Sequence, residues 1–248
     1  MRVAAIYDIH GNLPALEAVL AEIRREKVDQ IVVGGDVMPG PMTRETLAYL
    51  RAIDMPILFI RGNGDRAALE ERAGKDSGVR PRFRVLIQHC ARALSETDAR
   101  EVGSWPEKLR MEIAGLGQVL FCHATPRNDT EIFTRRTPVD RLLPVFAGVE
   151  ERVVVCGHTH MQFDRMVGKT RVVNAGSVGM PFGDPGAYWA LLGPDIELRR
   201  TEYDLERAAE LIRATDYPDA EDLAENNILH PPTEESILER YAHAELKG

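Results

Sequence analysis

Met1-Arg2-Val3-Ala4-Ala5-Ile6-Tyr7-Asp8-Ile9-His10-Gly11-Asn12 is an apolar run that breaks on an aspartate, a histidine and a glycine. The same grammar recurs along the chain. Ile31 to Val33 runs into Gly34-Gly35-Asp36, and Ile57 to Ile60 into Gly62-Asn63-Gly64-Asp65. Val119 to Phe121 leads to His123, and Val153 to Val155 to Gly157-His158-Thr159-His160. Short, continuous, β-branched runs read as parallel strands buried on both faces. Their carboxyl ends then line up along one edge of a sheet, where open α/β folds bind ligands. Asp8, His10, Asp36, Asn63, His123, His158 and His160 would converge there, with Asp65 as a supporting carboxylate. Oxygen and imidazole donors brought to one point make a metal site.

Each pair alone is a weak signal. Alternate residues on an extended chain point to opposite faces. Asp8 and His10, or His158 and His160, can share a target only if the chain turns just past the strand. Gly11 and Gly157 are read as the residues that permit those turns. His89, His230 and His243 belong to no such run and are read as non-functional.

Helical periodicity separates the early strands. Leu16, Val19, Leu20 and Ile23 are spaced for a helix over Leu13 to Glu26, entered through Asn12 and Pro14, and Thr43 to Ala52 repeats the pattern. Strand–helix–strand units imply right-handed crossovers. Arg66 to Pro106 is charged and helical, with a capping box at Ser95 to Asp98, and is read as helices laid over the site. Two strands follow, Lys108 to Ile113 and Gln118 to Cys122. Beyond His160 come four more, Gln162 to Val167, Thr170 to Asn174, Ala187 to Leu192 and Ile196 to Glu202, with a hairpin at Gly168-Lys169. These four are expected to form a second sheet. The fold class is therefore α/β, a two-sheet sandwich flanked by helices. The main domain spans 1–203, with 66–106 as its helical insertion, and 204–248 is a helical C-terminal extension. Leu205, Ala208, Ala209, Leu211 and Ile212 form one stripe of the extension, and Ile237, Leu238, Tyr241 and Ala242 another. They dock on the core or, as the alternative, make a homo-oligomer contact. Asp216 to Pro232 is polar and proline-punctuated, and reads as a linker or loose turn.

Composition narrows the function. The chain has 248 residues, 44% of them hydrophobic, enough for a core without staples. A formal net charge of −8 argues against long nucleic acid as a partner. Aromatic content of 6% with no interleaved basic stripe offers no stacking groove for single strands. Metal ions reverse the local sign, so a small phosphate-ester substrate stays open. Cys90, Cys122 and Cys156 show no CxxC spacing and read as small buried hydrophobes in a reducing compartment. The first residues enter a strand at once, and no apolar run approaches the roughly 20 residues of a membrane helix. A soluble, cytoplasmic protein without a membrane partner is expected.

Mixed aspartate, asparagine and histidine donors suit Mn²⁺ first, with Fe, Zn²⁺ or Ni²⁺ as alternatives, over Ca²⁺. Two such ions sharing a carboxylate would clamp the attacking and departing oxygens of a phosphoryl transfer. Two aspartates against two dications leave about +2, which hydroxide and a phosphodiester monoanion together neutralise. A monoester dianion would need further cations, and Arg61 and Arg127 are the candidates to contact substrate phosphate.

This set of motifs resembles the calcineurin-like metallophosphoesterase superfamily, in particular its small bacterial and archaeal phosphodiesterases. The likeness extends over nearly the whole chain, including Asn174-Ala175-Gly176-Ser177-Val178-Gly179 and the glycine-rich Pro181 to Gly186. The resemblance implies Asp8, His10, Asp36 and His160 around one metal, and Asp36, Asn63, His123 and His158 around the other. Asp36 would bridge, and Asp65 would orient neighbours without touching metal. Asp36, Asn63 and His123 carry the catalytic roles, with metal-bound hydroxide attacking phosphorus and His123 helping to stabilise the developing charge. Ala175 stands where the family's loop has proline, so that loop is read as structural. Gly64 stands where related phosphatases often place a histidine that assists the leaving group, help typically worth about 10²–10⁴-fold. Its absence favours a phosphodiesterase over the alternative, a phosphomonoesterase acting on nucleotides or phosphoproteins. Gly64 is also expected to supply a positive φ at a tight turn. A non-catalytic protein-binding scaffold of the same fold is the reading from another class.

Overall fold

In the computed structural model, which describes residues 1–247, the early rhythm becomes β1 (Val3–Ile6), α1 (Leu13–Arg25), β2 (Gln30–Val33), α2 (Thr43–Arg51) and β3 (Ile57–Phe59). The helical stretch is α3 (Asn63–Arg72), α4 (Pro81–Ala93) and α5 (Glu96–Ser104). Next come β4 (Lys108–Ile113), β5 (Gly117–Cys122), α6 (Val139–Phe146), β6 (Val153–Cys156), β7 (Phe163–Val167) and β8 (Thr170–Asn174). After them lie β9 (Ala187–Leu192), β10 (Ile196–Thr201), α7 (Leu205–Arg213) and α8 (Ala220–Leu223). The last runs straight into a π-helix (Ala224–Leu229), and α9 (Glu234–Ala242) follows. Helix starts follow their local chemistry. Asn12 accepts from the Ala15 amide at 3.2 Å, and Ser95 and Asp98 exchange the two bonds of a capping box.

Two five-stranded sheets face each other, in the orders β10-β9-β1-β2-β3 and β4-β5-β6-β8-β7. Two expectations need correction here. The five ligand-bearing strand ends do not share one sheet: β1, β2 and β3 belong to the first, β5 and β6 to the second. Nor do the last four strands form a sheet of their own. β9 pairs antiparallel with β1, Ile6 opposite Trp189, and carries β10 with it, while β7 and β8 extend the second sheet. Periodicity identifies a strand but not its partner, and β1 offered an edge that only β9 fills.

Alternation along β1 builds the layers. Val3, Ala5 and Tyr7 point between the sheets and pack with Phe121, Val155 and Val173. Ala4 and Ile6 point outward, into a core with Leu16, Val19 and Leu20 of α1. On the far side, Leu120, Val154 and Cys156 pack against Leu142, Val145 and Phe146 of α6. β1 and β6 are covered on both faces, which is why their sequences are continuously apolar. Cys90, Cys122 and Cys156 are all free and buried.

The extension docks on the first sheet's outer face: Ala208, Ala209 and Ile212 enter the same core as Ile6. Asp216 to Pro232 is not a loose turn. Tyr217, ahead of α8, and Leu223, Ala224 and Ile228, on α8 and the π-helix, are buried in that core. The acidic and amide residues between them hid a short amphipathic pattern. Ile237 and Leu238 of α9 close over Met161. No helix among the described residues is long and apolar enough to cross a membrane.

One contact ties the two sheets together just below the metal-facing edge. The Tyr7 hydroxyl donates to the Val155 carbonyl at 3.0 Å, fully buried. Its ring fills the space that a side chain at Gly34 or Gly157 would need. Burial pushes the Tyr7 phenol well above its ordinary range, so it stays a donor. Tyr7→Phe should destabilise the protein by about 1–3 kcal/mol, the cost of an unmade buried hydrogen bond. Urea denaturation compared with wild type measures this, and an unchanged midpoint would show that the bond contributes nothing.

Candidate metal centre

The strand ends turn by an unexpected device. Asp8, His10, Asp36, His158 and His160 have φ of 52°, 48°, 50°, 66° and 58°, left-handed values that side chains rarely adopt. The candidate ligands make the turns themselves. Gly11 shares that conformation, with φ of 59°. Gly157 does not; it is glycine because a Cβ there would sit 2.4 Å from Asp8 Oδ2. The turned segments lock onto one another: the His10 amide donates to the Asp36 carbonyl at 3.0 Å, and the His158 amide to Asp8 Oδ2 at 2.8 Å. Backbone held this far from its preferred region persists only where surrounding contacts over-determine it.

Backbone carbonyls orient all four histidines. His10 Nδ1 lies 3.0 Å from the Pro39 oxygen, His123 Nδ1 3.0 Å from Gly34, and His160 Nδ1 2.7 Å from Met180. His158 uses its other nitrogen, with Nε2 3.2 Å from the Thr130 oxygen. A carbonyl can only accept, so each of these nitrogens carries a proton and the opposite nitrogen is the one turned inward. His10 Nε2 and His160 Nε2 then face each other at 3.2 Å, which demands a proton or a cation between them. Asn63 Oδ1 lies 3.0 Å from His123 Nε2 and 2.9 Å from His158 Nδ1. Turned over, the Asn63 amide would donate to both rings instead, so this residue satisfies its neighbours with or without an ion.

The carboxylates lie between the two histidine pairs. Asp8 Oδ1 is 3.3 Å from His160 Nε2 and 3.9 Å from both His10 and His123. Asp36 Oδ2 is 3.6 Å from His123 and 3.9 Å from His10. Asp8 Oδ1 is buried and has no hydrogen-bond partner. Two groupings of donor atoms within 4.8 Å of one another result, Asp8 with His10 and His160, and Asp8 with Asp36 and His123. The carboxylate common to the two groupings is that of Asp8, whereas Asp36, the expected bridge, belongs to one of them. Burial opposes charge here, yet the imidazole of His123 holds the Asp36 carboxyl far below its usual range. Burial likewise disfavours the imidazolium of His123, but Asp36 and Asp8 push it up to about 10. Burial and the charge of His123 push His158 down to about 4. The pair of carboxylates calls for positive charge at this point, and the donor set fits divalent cations.

Asp65 lies beneath the centre, accepting from the amides of Asp36 at 2.9 Å, Gly62 at 3.0 Å and Met38 at 3.2 Å. Burial, then the neighbouring charge of Asp36, raises its carboxyl to about 7. Gly64 does not have the positive φ expected of it; it sits in the first turn of α3. A Cβ there would meet the Met38 oxygen at 2.4 Å and Pro39 Cδ at 2.7 Å. Close approach is the reason for glycine, and it lets the Gly64 amide donate to Asp36 Oδ1 at 2.7 Å.

The two arginines are placed differently from their expected roles. Arg61 turns away, with Nη1 3.3 Å from the Gly103 carbonyl and Nη2 3.6 Å from Glu107, and it does not reach the centre. Arg127 borders a small hollow of about 120 Å³ shared with His123, but its guanidinium is occupied by Glu131. Asn174 is structural, donating to the Gly157 carbonyl and Thr159. A cavity of about 360 Å³ opens onto His10, Asp36, Asn63, His158 and His160. Its walls include Phe83 of α4, and Tyr217 and Leu223 of the extension, residues that no local motif marks. A larger hollow of about 450 Å³, near His89 and Asp216, contains none of the candidate ligands.

Residues 1–195 match the calcineurin-like phosphoesterase superfamily domain. A solved metallophosphoesterase from Sphaerobacter thermophilus is similar at 27% identity and a TM-score of 0.68, over 86% of this chain and 93% of that one. A hypothetical protein from Pyrococcus horikoshii OT3, 19% identical, shares the fold with a TM-score of 0.79 over 94% of this chain and 99% of its own. An uncharacterized protein of Methanocaldococcus jannaschii is 28% identical over 232 residues, 85% of this chain and 91% of that protein.

Two substitutions test the supports of the centre. Asp65→Asn sets an amide NH₂ among three N–H donors and should weaken metal binding by about 10–100-fold, read by titration with Mn²⁺. Gly64→His should lower the melting temperature and the metal content without raising monoesterase activity. A stable, metal-replete Gly64→His protein with a large gain on monoesters would overturn the close-approach argument.

Proposed function

Since the chain belongs to the calcineurin-like phosphoesterase superfamily, we propose that it is a dinuclear metal-dependent phosphodiesterase acting on a small phosphate ester. The observation that carries this reading is the inward convergence of the second ring nitrogens of His10, His123, His158 and His160, with Asp8 Oδ1 unpartnered among them. Asp8, His10, Asp36 and His160 would hold one cation, and Asp36, Asn63, His123 and His158 the other. Two divalent ions, Mn²⁺ first and Fe, Zn²⁺ or Ni²⁺ as alternatives, supply Lewis acidity toward phosphoryl oxygens and acidify a water.

The chain's own part is orientation. The Pro39, Gly34, Thr130 and Met180 carbonyls keep each imidazole in one tautomer, so no reorganisation accompanies substrate binding. Asp65 holds the Asp36 and Gly62 amides, which positions Asp36 and the start of α3 together. Gly64 offers no proton to a leaving group, which favours esters whose alcohol departs readily. No lysine or arginine lines the cavity over the centre. A dianionic monoester would find no compensating cation there, whereas a diester monoanion needs none. Arg61 has no part in this proposal.

Metal-stripped protein reconstituted with Mn²⁺ should hydrolyse bis(4-nitrophenyl) phosphate faster than 4-nitrophenyl phosphate. Asp36→Ala and His123→Ala should abolish turnover of both, and metal analysis should find two ions per chain. Preference for the monoester would move the assignment to a phosphomonoesterase. No turnover with Mn²⁺, Fe, Zn²⁺ or Ni²⁺ would replace the enzyme reading with that of a protein-binding scaffold.

A further inference from the structure

The cavity over the centre has a chemistry of its own. Its floor is the polar cluster of His10, Asp36, Asn63, His158 and His160. Its walls are apolar: Val79, Phe83, Leu86 and Ile87 on one side, Tyr217 and Leu223 on the other. Phe83 is 44% exposed and presents its ring in the cavity wall. Asp219 and Asp222 complete the lining beside Tyr217 and Leu223. Arg82 lies 4.4 Å from the centroid of the Phe83 ring but is not part of the lining. One side of the cavity is built by residues 217–227, beyond the 1–195 span that matches the superfamily domain. Asn227 reaches the cavity from the π-helix, a distortion that proteins frequently keep at functional sites.

Phosphate binding does not explain this architecture. A phosphoryl group is small, strongly hydrated and satisfied by metal ions and N–H donors, none of which the walls provide. About 360 Å³ falls within the range of pockets that enclose an organic group. Apolar walls gain from covering apolar surface, and two carboxylates without a cation repel a second negative charge. Resting on the phosphodiesterase reading, we infer that this cavity receives one ester group of the substrate, and that the group is apolar, alkyl or aryl, and carries no negative charge. Nucleotide polyphosphates and acidic phosphopeptides are excluded by the same walls. Specificity is thereby delegated to α4 and the C-terminal extension, while the strand ends supply the reaction.

The test uses three phosphate triesters that present different groups to the cavity: dimethyl phenyl phosphate and trimethyl phosphate, both neutral, and dimethyl 2-carboxyethyl phosphate, an anion through its ionised carboxylate. Binding to the full-length, metal-stripped protein is followed by ligand-observed NMR, so the readout does not depend on turnover. The phenyl ester should bind at least about tenfold more tightly than the methyl ester, since a single methylene in an apolar pocket can be worth that much. Phe83→Ala should remove most of that preference, and the exposure of Phe83 makes the fold tolerant of the change. The carboxyethyl ester should bind weakest, and an Asp219→Lys/Asp222→Lys protein should recover its binding. In the Mn²⁺-reconstituted protein, the phenyl ester should inhibit bis(4-nitrophenyl) phosphate hydrolysis competitively. Equal affinity for phenyl and methyl esters, indifference to Phe83→Ala, or non-competitive inhibition would each overturn the inference. Absence of hydrolysis with selective binding intact would instead count against the phosphodiesterase reading and leave the cavity's preference standing.

Discussion

Four hydrogen bonds between imidazole nitrogens and backbone carbonyls govern the geometry of this molecule's centre. The carbonyls come from three segments: Gly34 and Pro39 in the loop after β2, Thr130, and Met180. A histidine tethered in this way cannot tautomerise without losing a bond, so its inward nitrogen is the one left to meet a cation or a second proton. The consequence is a cluster of acceptors with little to accept from. His10 and His160 oppose nitrogen to nitrogen, and Asp8 Oδ1 has no partner at all. Such a cluster is costly to bury unless cationic charge balances it.

The sandwich exists in a form that can bear this cost. Five candidate ligands occupy left-handed backbone, each at a penalty on the order of 1–3 kcal/mol. Strands fully covered on both faces offset it, and the turned segments bond to one another across the two sheets. Tyr7 shows the coupling on a small scale. Its ring needs the missing side chains of Gly34 and Gly157, and its hydroxyl reaches β6 from β1. The glycines next to the ligands are thus explained mainly by close approach. Gly64 follows the same rule: removing its side chain lets the first turn of α3 meet Asp36.

The candidate ligands and the apolar walls of the cavity come from different parts of the chain. The ligands project from strand ends whose positions the sheets determine, within the part of the chain that matches the superfamily domain. The apolar side of the cavity comes from α4 and from the α8–π-helix segment. The α8–π-helix segment is anchored in the outer core around Ala208, Ile212 and Ile228, whereas α4 is joined to the loop after Asp36 through Cys90, which meets Gly40 and Thr43. One fold can serve different functions through sites built on it.

Much of this was legible from residues alone. The apolar runs of Val3 to Tyr7 and Val153 to Val155 read as buried strands because a strand covered on both faces has no polar side to alternate with. The aspartates and histidines at their ends read as ligands because strand ends are where such residues can meet. Three features were decided only in three dimensions. The pairing of β9 with β1 depended on which edge was free, and hydrogen-bonding edges have no side-chain signature. The inactive placement of Arg61 depended on Gly103 and Glu107, some forty residues away in sequence. The helical character of Asp216 to Pro232 depended on a core into which Tyr217 and Ile228 could be pressed, since short helices owe their stability to packing rather than propensity. Local sequence therefore determined the strands and the identity of the donor atoms. Tertiary structure decided which lone pairs point inward and what covers them, because both depend on contacts between segments distant along the chain.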